Sequence, residues 1–231
     1  MEYKTSLYSE MPFVTVHTYA TKEEWAAARH TLKGIGGSDA AAVLNKSPWK
    51  SAYDLWMEKT GRRPDKQKTG KAIEFGIHAE DHIRALWTLR NADRYEMHYM
   101  PHTIIQNNAE KGLLYSPDGL LKEIKTRRLG IWECKTATIN SALQARKWSY
   151  DDIPEYYMTQ LLHGAYDMPL VSFAILTAFI MRGDDYAEIR DYVVDFADFL
   201  DEKEDQRDEV LRFYYHNLIE DIAPRQVLPM I

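Results

Sequence analysis

Apolar residues change their spacing twice along this chain. Through residue 90 they return every three to four positions, the period of a helix with one buried face. KEEWAAARHTL (22–32) predicts a short helix, with Thr21 as N-cap and Glu24 as its capping-box partner. GIGGSDAAAVLN (34–45) predicts a glycine-rich turn opening a second helix, capped by Ser38 or Asp39. SPWKSAYDLWMEKTG (47–61) predicts a third, with Pro48 in its first turn and Gly61 as its stop. After a charged loop, RRPDKQKTG (62–70), IEFGIHAEDHIRALWTLR (73–90) predicts an amphipathic helix with Ile73, Ile77, Ile83 and Leu86 or Trp87 inward.

From residue 95 the period shortens to that of strands. EMHYMPHTIIQN (96–107), KGLLYSPDGLLKEI (111–124) and RRLGIWECKTA (127–137) predict a meander. DIPEYYMTQLLHGAYDM (152–168) returns to helix, with Asp151 or Asp152 as cap and Pro154 in the first turn. VSFAILTAFI (171–180) and AEIRDYVVDF (187–196) flank the turn RGDD as a hairpin, and 198–222 predicts a long C-terminal helix. This order predicts an α/β domain with a central mixed β-sheet flanked by helices. A single domain over 1–231 is expected, with 1–20 as an N-terminal extension and 198–231 as C-terminal helix and tail.

Within the third strand, Glu133 and Lys135 are two apart and so face the same side. Asp118 stands at the end of the preceding strand, in SPDG. Such a set is either an ion pair or a place where a metal ion meets a phosphate. Hydrolysis of a phosphodiester needs an activated water and a neutralised leaving oxygen, and divalent metals supply both. Magnesium takes oxygen ligands, one or two of them carboxylates. Asp118, Glu133 and the Cys134 carbonyl qualify. Lys135 could then orient or deprotonate the water, or stabilise developing charge.

Composition narrows the field. Apolar content of 45% and charged content of 28% are ordinary for a globular protein. One cysteine excludes a disulfide framework, a four-cysteine zinc site and a cysteine-ligated iron–sulfur cluster. The N-terminal MEYKTSLYSEMPF has no basic head followed by an apolar core, and no apolar run suffices to span a bilayer. A cytoplasmic protein without membrane contact is therefore expected. A formal net charge of −6 disfavours coating nucleic acid by bulk positive charge, but not a channel lined by basic residues.

The strings GIGGSDAAAVLNKSPWKSAYDLWMEKTG, EFGIHAEDHI, SPDG, ECK and YYMTQLLHGAYDM occur in this order. With them the chain resembles the YqaJ-type viral recombinases, including the phage lambda-type alkaline exonucleases of the PD-(D/E)xK nuclease superfamily, across residues 22–180. The resemblance implies a restriction-endonuclease-like core and a magnesium-dependent exonuclease that digests linear double-stranded DNA from its ends. It further implies 5′ to 3′ polarity with 3′ single-stranded tails, a single-strand annealing protein as partner, and a ring-shaped homotrimer. Two Mg2+ ions, replaceable by Mn2+, are implied at Asp118, Glu133, Cys134 and Glu80, with Lys135 as the catalytic lysine. Ser38 and Arg29 are implied at the phosphate, with Gln160 and Tyr157 on the helix beside it. The separation of Arg29 from Ser38 by HTLKGIGG departs from the family pattern, so Lys33 is an alternative anchor.

Each of these residues also has a plainer reading. Ser38 could be only an N-cap, Glu80 part of a solvent-facing network with Asp81 and Arg84, and Gln160 and Tyr157 core-rim residues. His163 and His78 are read as structural. Trp49, Tyr53 and Trp56 are read as core, and Trp132 and Trp148 as core or as stacking surfaces for unpaired bases. Residues 62–68 and 125–128 are either backbone-contact patches or solvated turns. A sequence- or structure-specific endonuclease and a non-catalytic DNA-binding recombination scaffold remain as alternatives.

Overall fold

The computed structural model of the chain describes residues 7–64, 70–149, 152–183 and 186–226. Part of the N-terminal extension is a strand, β1 (Val14–Thr18). The helical part that follows forms as the sequence pattern predicts, with shifted boundaries. Helix α1 (Lys22–Thr31) is capped by Thr21, whose hydroxyl accepts the Glu24 N–H. A two-residue strand, β2 (Ile35–Gly36), leads into α2 (Gly37–Val43), whose N-cap is Gly36 and not Ser38 or Asp39. Gly36 is extended, and Asp39 Oδ2 accepts its N–H from inside the first turn, so the aspartate closes the cap from the far side. Helix α3 (Ala52–Lys59) starts after Ser51, later than Pro48 suggested. Ser47 Oγ accepts the Trp49 and Lys50 N–H groups and turns the chain there instead. Most of the 62–68 patch lies outside the described residues. Helix α4 (Lys71–Arg90) buries Ile83 and Trp87 but leaves Ile77 and Leu86 exposed, a narrower stripe than the sequence suggested.

The stretch 96–107, read as one strand, is two: β3 (Tyr95–His98) and β4 (Thr103–Asn107), with His102 at φ 52° in the turn between them. They enter different sheets. One sheet has four strands in the order β1, β4, β5 (Leu113–Tyr115) and β2; β5 and β2 are parallel and the other pairs antiparallel. The other is the expected mixed sheet. Its order is β3, β6 (Gly119–Glu123), β7 (Leu129–Thr138), β8 (Val171–Arg182) and β9 (Tyr186–Asp195). Only β7 and β8 run parallel, and parallel neighbours require a crossover. That crossover carries α5 (Ala142–Arg146) and α6 (Glu155–Asp167).

Helix α6 begins after Pro154, whose ψ of 132° is not helical, so the expected cap at Asp152 is displaced. Asp151 and the two aspartates of the RGDD turn lie outside the described residues. The C-terminal helix divides into α7 (Leu200–Arg212) and a π-helical stretch, Phe213–Ile219. Trp56, Trp132 and Trp148 are core, as is fully buried His163, whose Nε2 meets the Leu114 carbonyl at 3.1 Å. His78 is exposed, not packed. Trp49 is also not core: it is 61% exposed and meets the edge of the Tyr156 ring, at 4.7 Å between centroids. Among the described residues no helix is long and apolar enough to cross a membrane.

Candidate active site

The chain leaves the four-stranded sheet at Tyr115 and enters the five-stranded one at Gly119. Ser116, Pro117 and Asp118 therefore lie at the junction of the two sheets. Across it, Gly119 pairs with Trp132, which brings Asp118 beside Glu133 on the adjoining strand. The Cys134 N–H donates to Asp118 Oδ2 at 2.9 Å and fixes that carboxylate. Glu133 and Lys135 share a face, as their spacing requires, with Lys135 Nζ 2.5 Å from Glu133 Oε1. Glu133 Oε2 accepts the Tyr115 hydroxyl at 3.0 Å, and Gln160 of α6 donates to Oε1. Tyr157, one turn before Gln160, places its ring 5.4 Å from Lys135 Nζ.

The ion pair does not neutralise this centre. Glu133 is 1% exposed. Burial and then Asp118 push its carboxyl up to about 8, although the Lys135 ammonium and the Tyr115 hydroxyl pull the other way. Burial works to lower Lys135, yet Glu133 and Asp118 raise it well above its ordinary range, so it stays an ammonium. Glu80 on α4 is raised by burial and by Asp118, against the pull of Arg84. Arg84 donates to Glu80 at 3.1 Å, to the Asp118 carbonyl at 3.4 Å and to Asp81, while its guanidinium lies 3.4 Å from the centroid of Tyr99. The network read from the sequence therefore exists, but it faces the Asp118 turn as well as solvent.

A second group of residues converges from the glycine-rich turn. Gly37 lets the turn pass close to β5, because a Cβ there would lie 2.5 Å from the Tyr115 ring. Arg29 Nη2 then comes within 3.4 Å of Ser38 Oγ, despite the segment HTLKGIGG between them. Trp25, whose ring centroid lies 5.0 Å from the Arg29 guanidinium, donates to the Thr103 carbonyl at 3.3 Å and to Ser116 Oγ at 3.4 Å. A cleft of about 210 Å³ unites both groups: Arg29, Ser38, Asp118, Glu133, Lys135 and Gln160 all line it. Glu80 and Tyr157 are not among the lining residues: Glu80 is tied to the Asp118 turn through Arg84, and the Tyr157 ring lies beside Lys135.

Sequence reasoning missed Tyr115, Trp25 and Lys59, which all line the cleft. Tyr115 reads as one more apolar strand residue, and Lys59 as a basic residue ending a helix, which the helix dipole explains by itself. Their partners, Glu133 for Tyr115 and Asp39 for Lys59, are distant in sequence, so no local signal exists. Among the described residues, no group of three or more histidine, cysteine, aspartate or glutamate side chains could by itself hold a metal ion. The donor set still suits a hard divalent cation. It offers carboxylate oxygens that repel one another, and a backbone carbonyl at Cys134, leaving the other positions to water and phosphate.

Comparison with known proteins gives a consistent picture. A protein of Bacillus subtilis (strain 168), "Uncharacterized protein YqaJ", is 31% identical over 143 residues, or 62% of this chain; the match spans 41% of that relative's length. An alkaline exonuclease from Laribacter hongkongensis superposes with a TM-score of 0.62 at 20% identity, covering 86% of this chain and 94% of the other. The same enzyme in complex with dAMP gives 0.63 with the same coverage. The fold of this chain is thus that of an alkaline exonuclease. Residues 24–166 match the YqaJ-like viral recombinase domain, and the chain belongs to that family.

Proposed function

We propose that this protein is a divalent-metal-dependent deoxyribonuclease that digests linear duplex DNA from its ends. One observation carries the reading: two mutually repelling carboxylates, an ammonium and an arginine–serine pair line one cleft. A structural ion pair would not need a second carboxylate raising the first. A cation-binding site would, because the ion offsets that repulsion.

In this reading Asp118, Glu133 and the Cys134 carbonyl hold the ion, with Glu80 close to it, and magnesium or manganese fits their oxygen chemistry. The bound cation would supply the Lewis acidity that activates water and neutralises the leaving oxygen. The remaining work falls to side chains. Lys135, kept protonated by Glu133 and Asp118, donates a charge-assisted hydrogen bond to the oxygen on which charge develops. Gln160 and Tyr115 hold the Glu133 carboxylate from two sides and fix its orientation. Arg29 and Ser38 bind the terminal phosphate, through the guanidinium charge and the hydroxyl beside it. End recognition is thereby built from one anion site and one hydrolytic site in a single cleft.

The family resemblance brings further proposals: 5′ to 3′ polarity with 3′ tails, action beside a single-strand annealing protein in the cytoplasm, and a homotrimeric ring. The decisive measurement is nucleotide release from linear and circular duplex, with and without a 5′ phosphate, in magnesium and in EDTA. Release from phosphorylated linear duplex in magnesium alone is expected. Equal cleavage of circular duplex, or release in EDTA, would overturn the proposal. Analytical ultracentrifugation tests the trimer.

A further inference from the structure

The charges around the anchor contain a contradiction that the residues assigned so far do not resolve. The residue after Ser38 is Asp39, only 8% exposed and in the same turn. Its Oδ2 accepts the Gly36 N–H at 3.4 Å. Burial works to raise Asp39, yet Lys59, Arg29 and Lys50 together hold it well below the ordinary carboxylate range, so it is an anion. A buried carboxylate there would repel an incoming phosphate and compete with it for Arg29.

Lys59 supplies the counter-charge. As the last residue of α3 it reaches back to the turn, with Nζ 2.9 Å from Asp39 Oδ2 and 2.8 Å from the Gly34 carbonyl. Both side chains of the pair are about nine-tenths buried, at 11% and 10% exposure. Lys59 lines the 210 Å³ cleft and also a smaller cavity of about 80 Å³ beside it, and Arg29 lines both. The ammonium therefore makes the close ion pair with the Asp39 carboxylate, on which Arg29 also acts through its charge.

We infer that Lys59 is a positioning residue that gives the anchor its selectivity for a terminal phosphate, by neutralising Asp39 and leaving Arg29 and Ser38 free for the ligand. This rests on the proposed reading of Arg29 and Ser38 as the phosphate anchor. A purely structural role is the rival, because Lys59 also staples the Gly34 carbonyl. The two roles separate cleanly. Deleting the carboxylate rescues loss of a neutralising charge, but does not restore a lost staple.

The test compares kcat and KM for linear duplex bearing a 5′ phosphate or a 5′ hydroxyl, in magnesium. The proteins are the unsubstituted chain, Lys59→Met, Lys59→Arg, Asp39→Asn and Lys59→Met/Asp39→Asn. Lys59→Met should lose preference for the phosphate about ten- to hundredfold, mainly through KM. Lys59→Arg should keep most of it, and the double variant should regain it. A double variant as unselective as Lys59→Met overturns the inference, as does full selectivity in Lys59→Met. Where Lys59→Met fails to fold, Asp39→Asn decides. That substitution removes the charge and keeps the capping oxygen, so preference should hold or rise, whereas a fall overturns the inference. Equal rates at both ends by the unsubstituted protein would overturn the anchor reading and this inference with it. A selective unsubstituted protein without rescue overturns this inference alone.

Discussion

Two faces of strand β7 carry opposite kinds of polar chemistry. On one, Glu133 and Lys135 look toward α6, and with both acids ionised the charges do not balance, because Asp118 adds a second carboxylate that acts on Glu133. On the other, Trp132 looks toward α4 and starts a chain of paired polar atoms. Trp132 Nε1 donates to Thr177 Oγ1 at 2.9 Å, and Thr177 donates to Asp191 Oδ1 at 2.6 Å. Trp87 Nε1 donates to Asp191 Oδ2 at 3.0 Å. Both faces bury polar groups and both contain a carboxylate, although Glu133 is buried and Asp191 is exposed. The satisfied network specifies packing, whereas the unbalanced one stores repulsion that a ligand can relieve. Burial of polar groups is therefore not what marks the site; unresolved charge is.

Substitutions on the two faces should diverge accordingly. The largest effect is expected from Lys135→Ala, Asp118→Ala or Glu133→Ala. Each should cut nucleotide release about a thousandfold or more while circular dichroism shows the fold retained. Isothermal titration calorimetry should show weakened magnesium binding for the two carboxylate variants. Full activity in Lys135→Ala would dissolve the contrast between the faces. Thr177→Val, on the other face, leaves the buried Trp132 N–H without its partner. It should cost about 1–3 kcal/mol in urea denaturation and leave kcat unchanged.

Behind the first face lies Gly37, where a Cβ would strike Tyr115 and push its hydroxyl from Glu133. Gly37→Ala should destabilise the chain by about 1–3 kcal/mol and lower activity as well. A loss of stability without loss of activity would place the Tyr115 contact outside the mechanism.

The smallest effect concerns pH. Glu133 is protonated in both folded and unfolded chains at acid pH, but only the folded chain keeps the proton between the ordinary carboxylate range and about 8. Its contribution to stability is thus full below that range and is lost as pH rises through about 8. Without metal, Tm should fall over this interval; Glu133→Gln should flatten the fall and raise Tm at pH 8. Added magnesium should offset the same fall in the unsubstituted protein. A Tm profile identical in Glu133→Gln would mean that the repulsion is absent.

Much of this was legible beforehand. The alternation in IWECKTA requires Glu133 and Lys135 to share a face, and SPDG marks a strand end whatever surrounds it. Trp49 was not legible. Its spacing from Tyr53 and Trp56 suits one helix face, but Ser47 captures the two following N–H groups and delays the helix to Ala52, which leaves Trp49 outside. The break between β3 and β4 was hidden for a similar reason, since apolar residues continue through the turn and only pairing decides which sheet each half joins.

The sequence by itself determined which side chains share a face and where helices can begin, because these follow from backbone period and local hydrogen bonding. Only the tertiary structure decided that Tyr115 from one sheet meets Glu133 from the other, that Arg29 reaches Ser38 across the segment between them, and that Lys59 stands against Asp39. Those contacts join residues with no local spacing rule between them. Their electrostatic consequence depends on burial, which the assembled fold alone creates.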